Sequence, residues 1–269
     1  MRKKLQDLTI KDAFMFAAVM SDAEKCRRLL ELVLGMKILE VQVIPEKTIS
    51  YHSEYHGVRL DVLAEEVEMK RRFCVEMQVR KESALAKRSR YYHAQMDMDA
   101  LLAGESYDQL PDTYVIFICD FDPIGAGLYR YRIQNMVQET NKPLKDGNKT
   151  IFLSTKGTNE ADVPAELVQF LQYVGHPENS IKAENSFVRD LQNQVEAIKR
   201  NREWEGKYML LEEMMREERQ EGRQQGRLEG QERINQLNAL LLQQNRIEDV
   251  VKATGDSKYQ EKLFKEFNL

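Results

Sequence analysis

The stretches Val58-Arg59-Leu60-Asp61-Val62-Leu63-Ala64 and Arg72-Phe73-Cys74-Val75-Glu76-Met77-Gln78-Val79-Arg80 decide how the rest of the chain is read. In the first, Val58, Leu60 and Val62 alternate with Arg59 and Asp61. In the second, Phe73, Val75, Met77 and Val79 alternate with Cys74, Glu76 and Gln78. A period of two over such lengths predicts two β-strands, and the charged Glu65–Arg71 segment between them predicts a hairpin loop. Residues two apart on a strand face one side, so Glu76 and Gln78 project together, and pairing through the loop sets Asp61 beside Glu76. Two carboxylates meeting there repel unless a cation neutralises them, and hard oxygen ligands favour Mg²⁺. Such an ion can activate a water and stabilise charge on a scissile phosphate. The same spacing also suits two exposed acids on the solvent face of a half-buried hairpin.

Upstream of these strands the pattern is helical. A first helix is expected to open at Thr9, with Asp12 completing a capping box. A second is expected from Ser21, with Glu24 in the same reciprocal role, an apolar face of Leu29, Leu30, Val33 and Leu34, and Gly35 placed to end it. Ile38 to Ser50 alternates again and predicts a strand interrupted at Pro45. Downstream, a long helix is expected over Ser83–Ala103, ending near Gly104. The continuous apolar run Thr113–Cys119 predicts a strand covered on both faces. Tyr129–Val137 and Thr150–Ser154 suggest an added hairpin, and Gly125-Ala126-Gly127 a turn.

No proline follows Pro177, and Glu203–Arg233 is dense in Glu, Arg and Gln. Gly222, Gly226 and Gly230 stand four apart in this polar helix, where each glycine costs about 1 kcal/mol relative to alanine. That repeated cost suggests close approach of a partner helix, so self-association or docking on the core is expected; a solvated tail is the alternative. The expected organisation is an α/β domain over residues 1–180 and a helical extension over 181–269.

The 269 residues can bury a sizeable core, with 42% hydrophobic and 31% charged residues. No stretch approaches the ~18 uninterrupted apolar residues of a membrane span. The basic Met1-Arg2-Lys3-Lys4 runs straight into polar residues and lacks the apolar core of a signal peptide, so a cytoplasmic protein is expected. Cys26, Cys74 and Cys119 are isolated and form no CxxC pair, which suits buried thiols in a reducing compartment. A net charge of −4 argues against a generally basic nucleic-acid coat, but it leaves room for a basic cleft. Arg80, Lys81, Lys87, Arg88 and Arg90 cluster against the single Glu82, and Lys70-Arg71-Arg72 adds a second group. His52 and His56 stand four apart, with no third ligand in view for zinc.

The order of helix, strand with Asp61, hairpin, strand with Glu76-Met77-Gln78, long helix and apolar strand resembles the restriction-endonuclease-like αβββαβ core of PD-(D/E)XK nucleases. Within that superfamily the chain is most similar to the recombination-promoting nuclease, or putative transposase, family. Asp12-Ala13-Phe14, Arg88-Ser89-Arg90-Tyr91-Tyr92, Gly104-Glu105-Ser106-Tyr107 and the four-residue glycine period carry that likeness. The resemblance implies a mixed sheet, DNA as partner, and Mg²⁺ or Mn²⁺ held by Asp61, Glu76 and the Met77 carbonyl. It implies Asp61, Glu76 and Gln78 as the catalytic set, with Gln78 standing where a lysine is usual. An amide brings neither positive charge nor a proton acceptor near neutral pH. Gln78 could still orient a water, and Arg80, on the same strand phase, could lend the missing charge. Asp12 would be an auxiliary acid of the first helix, against the capping role that explains it locally. Arg88 and Tyr92, four apart on one helical face, would reach the substrate together with Lys87; a solvated arginine and a core tyrosine are the alternative. The expected activity is DNA endonuclease cleavage, possible in recombination, in a homo-oligomer formed through the C-terminal helices. Its rivals are a DNA-binding or oligomeric scaffold whose site decayed at Gln78, and a helical interaction protein.

Overall fold

A computed structural model describes residues 3–45, 47–49, 58–178 and 185–269. Two helices come first, α1 (Ala13–Met20) and α2 (Ala23–Leu34). Helix α1 opens four residues later than the sequence suggests. Asp12 is its extended N-cap, and the Asp12 carboxylate turns back to accept the Thr9 backbone N–H at 2.8 Å. The reciprocal half of a capping box is therefore present without a helical turn at Thr9. In α2 the cap is Asp22, not Ser21: its carboxylate accepts the N–H groups of Glu24 and Lys25. Gly35 ends that helix in the left-handed region, φ 69°, as expected. Every residue of α1 from Phe14 to Met20 is buried, the pattern of a helix apolar all round.

Among the described residues ten strands follow in chain order: β1 (Gln42–Pro45), β2 (Thr48–Ile49), β3 (Val58–Arg59), β4 (Val62–Glu66), β5 (Arg71–Gln78), β6 (Asp112–Cys119), β7 (Arg130–Gln134), β8 (Met136–Val137), β9 (Lys142–Pro143) and β10 (Asn148–Ser154). Between β5 and β6 runs α3 (Leu85–Ala100), shorter at both ends than the expected helix. The main sheet has six strands in the order β1-β4-β5-β6-β10-β7. Strands β4 and β5 form the expected antiparallel hairpin, turning at Val67–Lys70. Strand β6 lies parallel to both β5 and β10, so the sheet is mixed.

Two expectations change here. The strand predicted over Val58–Ala64 is broken at Leu60-Asp61 into β3 and β4. The predicted added hairpin is instead part of the main sheet, because β10 pairs with β6 as well as with β7. Ile151, Phe152 and Leu153 are buried on both phases of β10, as in a strand covered on both faces.

Helix α3 covers one face of the sheet, where Leu85, Tyr92 and Met96 pack with Leu63, Cys74, Val115, Phe117 and Phe152. On the other phase Phe73, Val75, Tyr114, Ile116 and Ile118 are also buried, and α1 and α2 pack there with α4 (Ala165–Gly175) and α5 (Ser186–Lys199). The chain separates into two compact units, Met1–Glu205 and Gly206–Leu269. Helix α5 packs on α1 and α4, so the first unit continues past the expected boundary at 180. Within the second unit, the end of α6 (Arg202–Gln243) packs with α7 (Ile247–Gly255) and α8 (Ser257–Glu266), burying Leu237, Leu241, Ala253 and Leu263. No described helix is long and apolar enough to cross a membrane.

Candidate active site

The register Val62–Val75, Leu63–Cys74 extrapolates by one step to Asp61 opposite Glu76. At that step the strand pairing gives way to side chains. The Asp61 N–H donates to Glu76 Oε1 at 2.9 Å, and the Met77 N–H donates to Asp61 Oδ2 at 3.0 Å. The two acids are thus locked to each other's backbone across the break between β3 and β4. Because the N–H and C=O of a strand residue point the same way, the Met77 carbonyl faces the same edge.

The phase of β5 that carries Cys74, Glu76 and Gln78 is not a solvent face. Helix α3 lies over it, and Glu76 is only 2% exposed. The reading of two solvated acids on a half-buried hairpin therefore fails for Glu76. Burial, with the charge of Asp61 adding to it, pushes the Glu76 carboxyl up to about 8.

Arg88, in the first turn of α3, converges on this carboxylate. Its Nη2 donates to Glu76 Oε2 at 2.9 Å, its Nη1 to Gln78 Oε1 at 2.9 Å and to Glu82 at 3.2 Å, and its Nε to the Tyr92 hydroxyl at 2.7 Å. The guanidinium also sits over the rings of Tyr92 and Phe117, 5.0 and 5.4 Å from their centroids. The cation beside Glu76 therefore comes from the helix and not from the strand. Gln78 completes the arrangement, donating through Nε2 to the Arg80 carbonyl at 2.6 Å.

The remaining predicted residues separate clearly. Tyr92 is 4% exposed, with its ring in the core and its hydroxyl accepting from Arg88. The Arg80 and Lys87 side chains are exposed and, like Lys81 and Arg90, carry no ion pair among the described residues. Arg71 and Arg72, by contrast, are held by Glu66, Glu65 and Asp99. The Asp12 carboxylate accepts from the Thr9 backbone N–H at 2.8 Å and from Lys3 Nζ at 2.7 Å, so it is engaged locally. His93 bridges Thr113 at 2.7 Å and Thr150 at 3.0 Å, and burial lowers it to about 4. It is a neutral clamp between β6 and β10. Sequence reading missed Arg88 as the hub; its spacing from Tyr92 was visible, its reach to Glu76 was not. His52 and His56 lie outside the described residues.

The three cysteines are buried and free, and burial pushes Cys26 and Cys119 up to about 12 and Cys74 well upward. They are inert packing residues. Among the described residues no group of three or more His, Cys, Asp and Glu side chains gathers around one point. The oxygen set here is two carboxylates and one carbonyl.

Comparison with known families places these features. The sequence pattern of the PD-(D/E)XK nuclease family transposases matches residues 10–221, which takes in the sheet, the Asp61–Glu76 pair and α3. No curated protein and no solved structure matches the chain. The family match spans most of the chain, and the mixed sheet with α3 across the Glu76 face agrees with it: this chain belongs to the PD-(D/E)XK nuclease family transposases.

Proposed function

We propose that the chain is a divalent-metal-dependent DNA endonuclease whose site is the Asp61–Glu76 junction. The observation that carries this reading is the junction itself: a glutamate raised by its burial and by a second carboxylate across a strand break, with an arginine fixed over it. Asp61, Glu76 and the Met77 carbonyl would hold Mg²⁺ or Mn²⁺, which when bound supplies Lewis acidity toward a phosphate and its attacking water. Arg88 supplies a permanent positive charge beside Glu76, the charge that Gln78 lacks. Gln78 holds Arg88 through its amide oxygen. The exposed Arg80, Lys87, Lys81 and Arg90 supply phosphate contacts that carry no sequence preference and weaken with salt.

Plasmid nicking in Mg²⁺ or Mn²⁺, wild type against Asp61→Ala prepared identically, tests the proposal. Metal-dependent cleavage lost in the variant supports it; equal cleavage by both, or none by either, counts against it. One observation favours a second reading, a DNA-binding scaffold with a silenced site: both polar ends of the Gln78 amide are already bonded within the chain. DNA affinity without cleavage is its signature.

The oligomer proposal rests on α6. Cβ atoms built at Gly222, Gly226 and Gly230 meet nothing within 4 Å, so the backbone there is open to a second helix. Replacing all three by alanine would stabilise a solitary helix by about 1 kcal/mol per site. The same change would break a helix pair that uses the stripe. Light scattering of the triple variant separates the two, and unchanged self-association refutes the proposal.

A further inference from the structure

On the opposite face of the sheet from Glu76 lies a cavity of about 270 Å³. Glu76 aligns with Phe117, whereas Tyr114, three residues earlier on β6, points to the other side. The cavity is lined by Leu34 and Met36 at the end of α2, Tyr114, Lys149 and Ile151 on interior strands, and Arg132 on β7. The register explains the grouping: Tyr114 pairs with Lys149, and Ile151 pairs with Arg132.

Its lining holds two cations and no carboxylate. Arg132 is exposed and has no hydrogen bond or ion pair among the described residues; its Nη2 lies against Gly35, 3.7 Å from where a Cβ would stand. Lys149 Nζ donates to the Tyr114 hydroxyl at 3.0 Å and reaches Asp112 only at 3.8 Å. One row along, Arg130 donates to the Val33 carbonyl at 2.9 Å, and burial together with the charge of Arg132 lowers it. Two guanidiniums therefore share this edge with no acid between them. Protection of an edge strand accounts for a charge on β7. It does not account for Lys149, which lies on an interior strand and is held above Tyr114.

We propose that this cavity binds a small phosphate-bearing ligand with a flat apolar body, of the nucleoside monophosphate kind. Arg132 and Lys149 take the phosphate, and Leu34, Met36 and Ile151 take the body. Two cations lining one cavity match a dianion, and the planar arginine fork matches phosphate oxygens. The volume is near the lower end for ligand pockets, which run from about 300 Å³ upward, so a duplex is too large to enter. A free nucleotide and the phosphorylated end of a single strand offer the same chemistry.

The test is titration calorimetry on the full chain in a chelator, with adenosine 5′-monophosphate, adenosine, inorganic phosphate and a 5′-phosphorylated oligonucleotide as probes. Saturable binding of the monophosphate, weakened at least about tenfold by Arg132→Gln or Lys149→Gln, is expected. Both substitutions lie at the surface, and thermal melting checks that each variant is folded. Tighter binding of the oligonucleotide, with the same sensitivity to Arg132→Gln, supports the site and makes a strand end the source. No saturation, or affinity untouched by both substitutions, overturns the proposal. Adenosine binding as well as the monophosphate overturns the phosphate assignment; phosphate binding as well overturns the apolar body. Asp61→Ala should leave the titration unchanged, so failure of the nuclease reading and failure of this one are separate results.

Discussion

Arg88→Met keeps an unbranched stem over Tyr92 and Phe117 and removes the charge, which makes it the sharpest probe of the site. The Glu76 side chain is 3% exposed and that of Arg88 is 30% exposed. Stripping the partner from a buried carboxylate costs about 3–5 kcal/mol. The partial exposure of Arg88 brings the figure down to roughly 2–3 kcal/mol. Loss of the two ring contacts adds about 0.5–1 kcal/mol. The total, about 3 kcal/mol, is reached only where Glu76 is ionised.

The direction of the pH dependence follows from linkage. Glu76 is raised from 4.5 to about 8 in the folded chain, so between those values the native state binds more protons than the unfolded one. Its contribution to stability is full below about 4.5 and is lost as pH rises through about 8. Removing Arg88 raises Glu76 further. Near pH 5 the carboxyl is protonated in both proteins and the variant should lose little beyond the ring contacts. Near pH 9 the wild-type carboxyl is ionised while that of the variant still holds its proton, so the loss grows by about 1 kcal/mol over that at pH 5, and the whole amount is reached only at higher pH. Urea unfolding of wild type and Arg88→Met at pH 5, 7 and 9, without metal, measures this. Excess Mg²⁺ should then stabilise the variant more than the wild type. A destabilisation that is the same at pH 5 and pH 9 would refute the argument.

His93 has the opposite dependence. Burial lowers it from 6.5 to about 4, so in that interval the unfolded chain binds more protons. Stability is full above 6.5 and falls by roughly 3 kcal/mol as pH drops toward 4. His93→Gln, which keeps hydrogen-bonding atoms for Thr113 and Thr150, should flatten that acid limb in urea titrations. Gln78→Lys sets an ammonium against the Arg88 guanidinium that the amide oxygen now accepts. It should cost about 1–2 kcal/mol in melting experiments, relieved in the Gln78→Lys/Arg88→Met pair.

Elements defined by a local period were legible in the sequence: the β4–β5 hairpin, the apolar strand β6 and the Gly35 stop of α2. Where the structure differs, a distant partner decided. Thr9 and Asp12 form their reciprocal bond, but the backbone at Asp12 is extended and the helix waits until Ala13. Strand β10 is interior because β6 lies beside it, a pairing across 35 positions that no local pattern records. The Asp61–Glu76 pair was visible as two polar positions in register. Its burial was not, although Cys74 on the same phase was a signal that this face meets a covering helix. His93 was readable as a histidine on the long helix near the site, with an auxiliary role open to it; its clamp was not, since both its threonine partners come from the sheet.

The departure at Gln78 gains its meaning from α3. A lysine at that position would combine two properties, a positive charge beside the acids and an ammonium that can lose its proton when buried. Here the two are divided. Arg88 delivers the charge from the helix, fixed by Glu76, Gln78 and the Tyr92 hydroxyl, and a guanidinium stays protonated throughout the useful pH range. Gln78 keeps only the hydrogen-bonding part. Under the proposed nuclease function, charge stabilisation is insensitive to pH on the cationic side, and proton transfer would fall to the carboxylates or to solvent. In the metal-free chain the Glu76 carboxyl is held up by burial and by Asp61, and Arg88 opposes that rise.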